Sequence, residues 1–173
     1  MKAAMITAII ETHDDEISLA HALAALVPAA TEGIVREVVV VDRGSSDGTL
    51  TVADVAGCTI LEAAKVHGDP LHLAAEEARG DWLLFLSPRA VLDHGWQNAA
   101  LAFIDHALVT GRGRTSVATF RRGSIRTGWA ARLLALVWRG DGRLIAKAAY
   151  LAATSPSPAS AASLASGARR GAA

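Results

Sequence analysis

The sequence predicts an α/β protein built on a doubly wound, mostly parallel β-sheet in a single domain. Short apolar runs of strand length alternate with stretches whose apolar residues recur at helical spacing. The clearest strand, residues 37–42, contains four consecutive valines, which is typical of a strand covered on both faces. Hydrophobic residues make up 51% of the 173 residues, enough for one domain with a full core.

The first half of the chain gives the strongest pattern. An apolar run at residues 3–10 predicts the first strand. A helix follows, with acidic residues in its first turn and an apolar stripe, and we expect Pro28 to end it. The second strand, residues 37–42, leads through a turn rich in Gly, Ser and Asp into a short helix.

Three further elements continue the alternation. A third strand is predicted at residues 58–63, and a second long helix at residues 69–79, which Gly80 ends. The fourth strand covers residues 81–86, and a third long helix covers residues 94–110.

The pattern weakens after Gly111. Residues 115–123 are compatible with a strand, residues 129–138 with a short apolar helix, and residues 142–153 with either a strand or a helix. We predict a domain at residues 1–150. The remaining residues, 151–173, are rich in Ala, Ser, Pro and Gly, and we expect this tail to be disordered.

Charge is distributed unevenly. Residues 1–111 hold 6 Lys or Arg and 16 Asp or Glu, whereas residues 112–147 hold 9 Lys or Arg and a single acid. This basic segment predicts a surface that meets an anion, either phosphate groups or an anionic membrane. The alternative is a solvated face that pairs with the acidic half. Nucleic acid is not predicted as a partner, because aromatic residues do not interleave the basic ones.

The compartment is predicted to be the cytoplasm, with peripheral contact at the inner face of the membrane as an additional hypothesis. The single cysteine, Cys58, excludes an internal disulfide and suits a reducing compartment. The N-terminal apolar run is too short for a signal peptide, and no stretch of 18 apolar residues exists. The sequence makes no prediction of oligomeric state.

Two stretches together resemble a known family. The first, "EVVVVDRGSSDGT" at residues 37–49, is followed by "GDWLLFL" at residues 80–86. This pair resembles the family 2 glycosyltransferases, which have the nucleotide-diphospho-sugar transferase (GT-A) fold. The resemblance extends over residues 4–150, including "WRGDGRLIAKAAY" at residues 138–150, which is similar to a later Gly-Asp-Gln-Gly segment of small bacterial members.

The resemblance implies a binding site for a nucleotide sugar, linked to UDP or GDP. Its predicted contacts lie at the ends of the first two strands and in nearby loops: Thr12, Asp42, Gly44, Ser45, Asp47 and His67. We expect Asp42 to expose its carboxylate at the sheet edge, so that its loss costs little stability. The alternative is that Asp42 caps the turn and Asp47 caps the next helix.

The end of the fourth strand departs from the family pattern. Ser87-Pro88-Arg89 stands where the family has Asp-x-Asp, whose carboxylates hold a metal ion. Serine is a poor metal ligand and arginine repels a cation, so we predict no metal site and no cofactor. Arg89 could bind the diphosphate in place of the metal, because guanidinium binds phosphate bidentately. The alternative is a decayed site with Arg89 as a surface residue.

One acid in the basic segment is a candidate catalytic group. By resemblance, Asp141 is the general base that deprotonates the acceptor hydroxyl. The alternative is an ordinary Gly-Asp-Gly turn. The sequence therefore predicts a divergent glycosyltransferase that works without a metal, and the competing hypothesis is a catalytically silent relative that binds a nucleotide or a protein.

Overall fold

The computed structural model describes residues 5–92, 95–111, 117–121, 124–127 and 142–154. A 3₁₀ turn at Ala63–Lys65 lies between β3 and α3. The strands and helices, in chain order, are β1 (Ile6–Thr12), α1 (Glu16–Thr31), β2 (Val35–Asp42), α2 (Thr49–Val55), β3 (Thr59–Glu62), α3 (Pro70–Glu77), β4 (Trp82–Leu86), α4 (Trp96–Val109), β5 (Val117–Arg121), β6 (Ser124–Thr127), β7 (Gly142–Ala146) and α5 (Lys147–Thr154).

The strands form one sheet in the order β3-β2-β1-β4-β7-β5-β6. The first four of these are parallel, and β1 lies at their centre, with Ile9 opposite Val39 of β2 and Phe85 of β4. The other three pair in antiparallel fashion, beginning with β7 against β4. The predicted α/β class with a central parallel sheet is confirmed.

Helices cover both faces of the sheet, as a doubly wound fold requires. On one face, buried side chains of α1, α2 and α4 pack against alternate residues of β4, including Leu84 and Leu86. On the other face, α3 and α5 pack against Leu83 and Phe85. The continuous apolar runs of β1, β2 and β4 are explained by this burial on two sides.

Helix α1 continues past the proline that was expected to end it. Pro28 lies inside α1, which extends to Thr31. A proline inside a helix removes its own N–H donor and its ring crowds the carbonyl four residues before it, but Pro28 lies in the last turn, where only three residues follow it. The carbonyl of Pro28 still accepts a hydrogen bond from Glu32 N–H at 3.0 Å, which closes the final turn.

The C-terminal part also differs from the prediction. Residues 142–153, which were compatible with a strand or a helix, form both: β7 and then α5. Strand β6 was not predicted. The domain boundary expected at residue 150 falls inside α5, which extends to Thr154 because Tyr150 and Leu151 pack on the core.

Several predictions concern residues outside the described ranges. They are the apolar helix at residues 129–138, most of the basic segment at residues 112–147, Asp141, and residues 155–173 of the tail. Within the part of the chain that the structure describes, no helix is both long and apolar enough to cross a membrane.

We predict that removing residues 155–173 leaves the melting temperature unchanged, whereas removing residues 147–173 lowers it strongly. The shorter deletion removes a segment whose composition cannot offset the entropy of ordering. The longer deletion also removes α5, whose Tyr150 ring lies 4.7 Å from the Phe85 ring, at a cost of about 3 kcal/mol or more. Thermal denaturation followed by circular dichroism measures both. A fall of several degrees after the shorter deletion would show that the tail packs on the domain.

Candidate functional site

Three neighbouring parallel strands end at one edge of the sheet, where they form the floor of an open cleft. Thr12 is the last residue of β1, Asp42 of β2 and Leu86 of β4. Open α/β sheets bind ligands at the carboxyl ends of their strands. The cleft has a volume of about 490 Å³ and is lined by Glu11, Thr12, His13, Asp15, Arg43, Ser87, Pro88 and Arg89.

The Asp42 carboxylate holds the turn that follows β2. Its Oδ2 accepts hydrogen bonds from the backbone N–H groups of Gly44 at 2.9 Å and Ser45 at 3.0 Å. Its Oδ1 accepts hydrogen bonds from the Ser45 hydroxyl and, at 3.3 Å, from the Thr12 hydroxyl. A carboxylate offers about four acceptor positions, so the protein's own donors fill them.

The expectation that Asp42 exposes its carboxylate is wrong. Only 2% of the residue is exposed, because Thr12 of the neighbouring strand and the turn itself cover the carboxylate. Burial raises the pKa of Asp42, but the hydrogen bonds from Ser45, Gly44 and Thr12 outweigh it, and the pKa falls below its usual value. Asp42 is therefore ionised at neutral pH and organises the turn. Direct contact with a nucleotide stays a prediction.

The loop between β1 and α1 is joined to the same turn. Asp14 N–H donates to the Ser45 hydroxyl at 2.9 Å, and Asp14 Oδ1 accepts a hydrogen bond from Ser46 N–H at 2.7 Å. The backbone hydrogen bond from Ser46 lowers the pKa of Asp14. Asp14 has a φ of 51°, a left-handed conformation that aspartate tolerates better than most residues. The two loops therefore form one hydrogen-bonded unit on the rim of the cleft.

The Asp47 carboxylate links the first turns of α1 and α2. Its Oδ1 accepts hydrogen bonds from the N–H and the hydroxyl of Thr49, and its Oδ2 accepts one from Glu16 N–H at 3.2 Å. The hydrogen bond from the Thr49 hydroxyl lowers the pKa of Asp47. Glu16 in turn accepts a hydrogen bond from Gly48 N–H at 3.1 Å. This geometry is the structural role that the sequence left open as an alternative for Asp47.

Two arginine side chains reach the cleft, and each is paired with a carboxylate. Arg43 Nε donates to Glu11 Oε1, and Arg89 Nε donates to Asp15 Oδ1 at 3.3 Å. The Arg89 side chain is 77% exposed. Ion pairs as exposed as this contribute about 0–1 kcal/mol, so an incoming phosphate could compete for either guanidinium.

Comparison with known proteins identifies the architecture. No protein-family model matches the chain, and a search of curated proteins gives no match. Glucosyl-3-phosphoglycerate synthase from Mycobacterium tuberculosis, in complex with Mn²⁺, UDP and glucosyl-3-phosphoglycerate, matches 83% of this chain at 20% identity with a TM-score of 0.55. A structure of that synthase with phosphoglyceric acid and a further crystal structure of the synthase each match at 18% identity with a TM-score of 0.56.

This chain has the nucleotide-diphospho-sugar transferase fold. The fold implied by the sequence resemblance is therefore confirmed. The chain spans 57% of the length of the solved synthase chains.

The residues at the end of β4 do not fit the metal ion that this transferase fold commonly uses. The Ser87 hydroxyl accepts a hydrogen bond from Arg89 N–H at 3.2 Å, and Arg89 itself places a positive charge beside Asp15. A divalent cation prefers carboxylate oxygens and is repelled by a guanidinium. In the described ranges, no group of three His, Cys, Asp or Glu side chains could hold a metal.

The structure gathers part of the predicted site. Thr12 and Arg89 line the cleft, while Asp42, Gly44 and Ser45 form the turn beside it. Gly44 has a φ of 95°, a conformation that favours glycine. His67 is exposed in the loop before α3 and does not line the cleft. Asp141 lies outside the described residues.

Sequence analysis missed four lining residues, Glu11, His13, Asp15 and Arg43. A signal for Arg43 was present in the motif. The family that the chain resembles has Asp or Gly directly after the strand-ending aspartate, and this chain has Arg43 there.

We predict that Asp42→Asn lowers the free energy of unfolding at pH 7 by about 2–4 kcal/mol, because backbone donors lose a charged, buried acceptor. The pKa of Asp42 is lower in the folded than in the unfolded chain, so its stabilisation is present above about pH 4 and is lost as the pH falls through the folded value. The difference in the free energy of unfolding between wild type and Asp42→Asn should therefore become smaller at acid pH. Urea denaturation at pH 7 and pH 3 measures this.

Asp54→Asn is the matched control, because Asp54 is an exposed aspartate of α2. It should leave stability within about 0.5 kcal/mol of wild type. Equal stability of Asp42→Asn and wild type at pH 7 would contradict the organising role of Asp42.

Proposed function

We propose that the cleft binds a nucleoside diphosphate sugar, linked to UDP or GDP, and that the chain transfers the sugar without a divalent cation. One observation carries the proposal: Arg43 and Arg89 line a cleft at the strand edge of a nucleotide-diphospho-sugar transferase fold. Guanidinium groups bind phosphate oxygens bidentately and remain charged at any working pH. Two of them could balance the charge of a diphosphate.

Solved structures with the same fold support a sugar nucleotide as the ligand class. One solved synthase structure is a complex with Mn²⁺, UDP and glucosyl-3-phosphoglycerate, and another is a complex with Mn²⁺, UDP-glucose and phosphoglyceric acid. This chain shares the fold but has Ser87 and Arg89 where carboxylates would hold such an ion. We infer that the ligand class is retained and that the counter-charge is supplied by arginine.

The cleft suggests a role for each group. The turn at Gly44 and Ser45, fixed by Asp42, presents backbone to the nucleotide, and Thr12 lies beside it. When the donor binds, Arg43 releases Glu11 and Arg89 releases Asp15, and both guanidinium groups bind the diphosphate instead. Because Glu11 and Asp15 remain in the cleft wall, they take their guanidinium partners back when the product leaves.

The transfer step itself is a substitution at the anomeric carbon of the donor. The acceptor oxygen forms a bond to that carbon, and the bond from the carbon to the diphosphate oxygen breaks with its electron pair on the diphosphate. Arg89 stabilises the charge that grows there. The acceptor proton goes to a general base, for which Asp141 is the candidate by resemblance. Gly142, the next residue, pairs with Leu86 at the carboxyl edge of β4. His67 stays a candidate for diphosphate contact.

A catalytically silent nucleotide-binding protein is the second candidate. Two observations favour it: donors of the protein fill the acceptor positions of Asp42, and each cleft arginine already has a carboxylate partner. The two candidates share the binding of a nucleoside diphosphate and differ in turnover. Hydrolysis or transfer of a sugar nucleotide above background distinguishes them.

We predict that UDP or GDP binds with an affinity that does not depend on Mn²⁺. The physical reason is that serine and arginine replace the carboxylates at the end of β4. Isothermal titration of the protein with each nucleotide, in EDTA and in Mn²⁺, measures this. An affinity that tightens tenfold with Mn²⁺ would refute metal independence, and no binding of either nucleotide in either buffer would refute the proposed function.

We predict that Arg89→Ala and Arg43→Ala each weaken UDP binding about tenfold and leave uridine binding unchanged, because uridine has no phosphate for the lost guanidinium. Arg89→Lys should recover only part of the affinity, since ammonium cannot form the bidentate fork. If the chain is active, Arg89→Ala should raise the barrier to transfer by about 2–4 kcal/mol.

Two further variants sharpen this test. Arg36→Ala is the matched control, because Arg36 is an exposed arginine near the opposite end of β2 and should not affect UDP. Asp15→Asn should tighten UDP binding, because it releases Arg89 from its ion pair. Equal losses for UDP and uridine would assign the arginines to folding and not to phosphate.

A further inference from the structure

One buried polar atom in the structure has no partner, and it belongs to an arginine outside the cleft lining. Arg143 Nε is the single buried side-chain nitrogen or oxygen in the described residues that lacks a hydrogen bond. Arg143 lies on β7, where it pairs with Phe85 of β4. The Arg143 side chain as a whole is only partly buried, but an N–H donor that is removed from water without an acceptor is costly.

Two aromatic rings hold this guanidinium in place. Its central carbon lies 5.4 Å from the centre of the Phe85 ring and 5.8 Å from the centre of the Tyr150 ring. Cation–π contacts of this length are attractive but satisfy none of the N–H donors. The side chain is therefore fixed at its Nε end by packing, and its two terminal nitrogens remain available for an acceptor.

The acids near Arg143 are engaged elsewhere. Burial raises the pKa of Tyr150, and the negative charges of Asp69 and Glu11 raise it further, which places both acids near the Tyr150 hydroxyl. Glu11 pairs with Arg43, and Asp69 caps α3 by accepting a hydrogen bond from Leu71 N–H at 3.0 Å. No salt bridge within the described ranges involves Arg143, which stands as a rigid, unpaired cation.

The position of Arg143 separates it from the proposed nucleotide site. The sheet order is β2-β1-β4-β7, so Arg143 is three strands away from the turn after β2, which corresponds to about 14 Å. Along its own strand it lies one residue from Gly142, which pairs with Leu86, the last residue of β4. Arg143 therefore lies at the same edge of the sheet as the cleft, on the side away from the nucleotide turn.

We propose that Arg143 binds the anionic group, a phosphate or a carboxylate, of a small acceptor molecule. This assignment to the acceptor rests on the proposed function, because it takes the donor to occupy the β1–β2 side of the cleft. A guanidinium that packs against two rings loses little side-chain freedom when it forms a bidentate pair with an anion. The partly buried cation then gains a counter-ion that the described residues do not supply.

Three probes with the same three-carbon skeleton test the chemistry: glycerol 3-phosphate, glycerate and neutral glycerol. Each is titrated into the ¹⁵N-labelled protein, and the Arg143 Nε–H signal is followed by NMR. We expect the phosphate and the carboxylate to shift this signal with saturation and glycerol to leave it unchanged. Failure of both anions to bind, or binding of glycerol as tight as that of glycerol 3-phosphate, would overturn the proposal.

Variants test whether Arg143 makes the contact with the anions, and whether the anion belongs to the acceptor or to the donor diphosphate. Arg143→Met keeps the length and packing of the side chain and removes the charge, so it should weaken both anions at least tenfold. UDP affinity should change by less than threefold. Arg89→Met should weaken UDP binding and change the affinity for the two small anions by less than threefold. A loss of UDP affinity in Arg143→Met as large as the loss of anion affinity would assign Arg143 to the donor diphosphate and overturn the acceptor assignment.

Arg143→Lys keeps the test decisive if the methionine variant does not fold. Lysine retains the positive charge but lacks the paired N–H donors of guanidinium, so we expect a threefold to tenfold loss of anion affinity. Unchanged anion affinity in a folded Arg143 variant would overturn the proposal. Failure of the proposed function gives a different result. In that case UDP does not bind the wild-type protein, whereas the anions still bind in a way that depends on Arg143. This outcome would refute only the assignment of the bound anion to an acceptor.

Discussion

The burial of one carboxylate determines the shape of the site. Asp42 ends β2 with 2% of its surface exposed, and its two oxygens accept hydrogen bonds from Gly44, Ser45 and Thr12. A buried, ionised group is tolerated only when it is satisfied in this way. The turn after β2 therefore has a single arrangement, and through Ser45 it also fixes the loop at Asp14. The rim of the cleft is rigid because leaving that carboxylate unsatisfied is costly.

Charge in the cleft is balanced within the protein. Glu11 faces Arg43, and Asp15 faces Arg89, so the lining arginines and acids are equal in number. Both guanidinium groups are exposed, so the pairs are weak, although the Asp15 side chain is itself only 11% exposed. An anionic ligand can therefore compete with the carboxylates for either guanidinium. A transferase fold that binds a metal has a different balance, in which the ion supplies the positive charge and carboxylates hold the ion.

The two sides of β4 carry different chemistry. Arg43 follows β2 and Arg89 follows β4, and each is paired with a carboxylate, whereas the antiparallel strand β7 carries Arg143, which packs against the rings of Phe85 and Tyr150. Paired and unpaired arginines therefore lie at the same edge of the sheet. Paired arginines suit a ligand that must also be released. An unpaired arginine fixed by aromatic rings suits recognition of an anion at a defined position.

The sequence by itself determined the alternation of strands and helices and the resemblance that names the fold. Local signals sufficed for this, because the valine run of β2 and the apolar run of β4 are themselves the consequence of burial on two faces. The sequence also showed that Ser87 and Arg89 replace metal ligands. It did not predict that α1 continues past Pro28 or that the antiparallel strands extend the sheet, because packing of distant residues decided both. Only the tertiary structure decided that Asp42 is buried, that Glu11 and Asp15 pair with the arginines, and that Arg143 has no hydrogen-bond or ion-pair partner among the described residues. These are contacts between residues about 30 to more than 70 positions apart, and local patterns carry no information about which side chains meet across such distances.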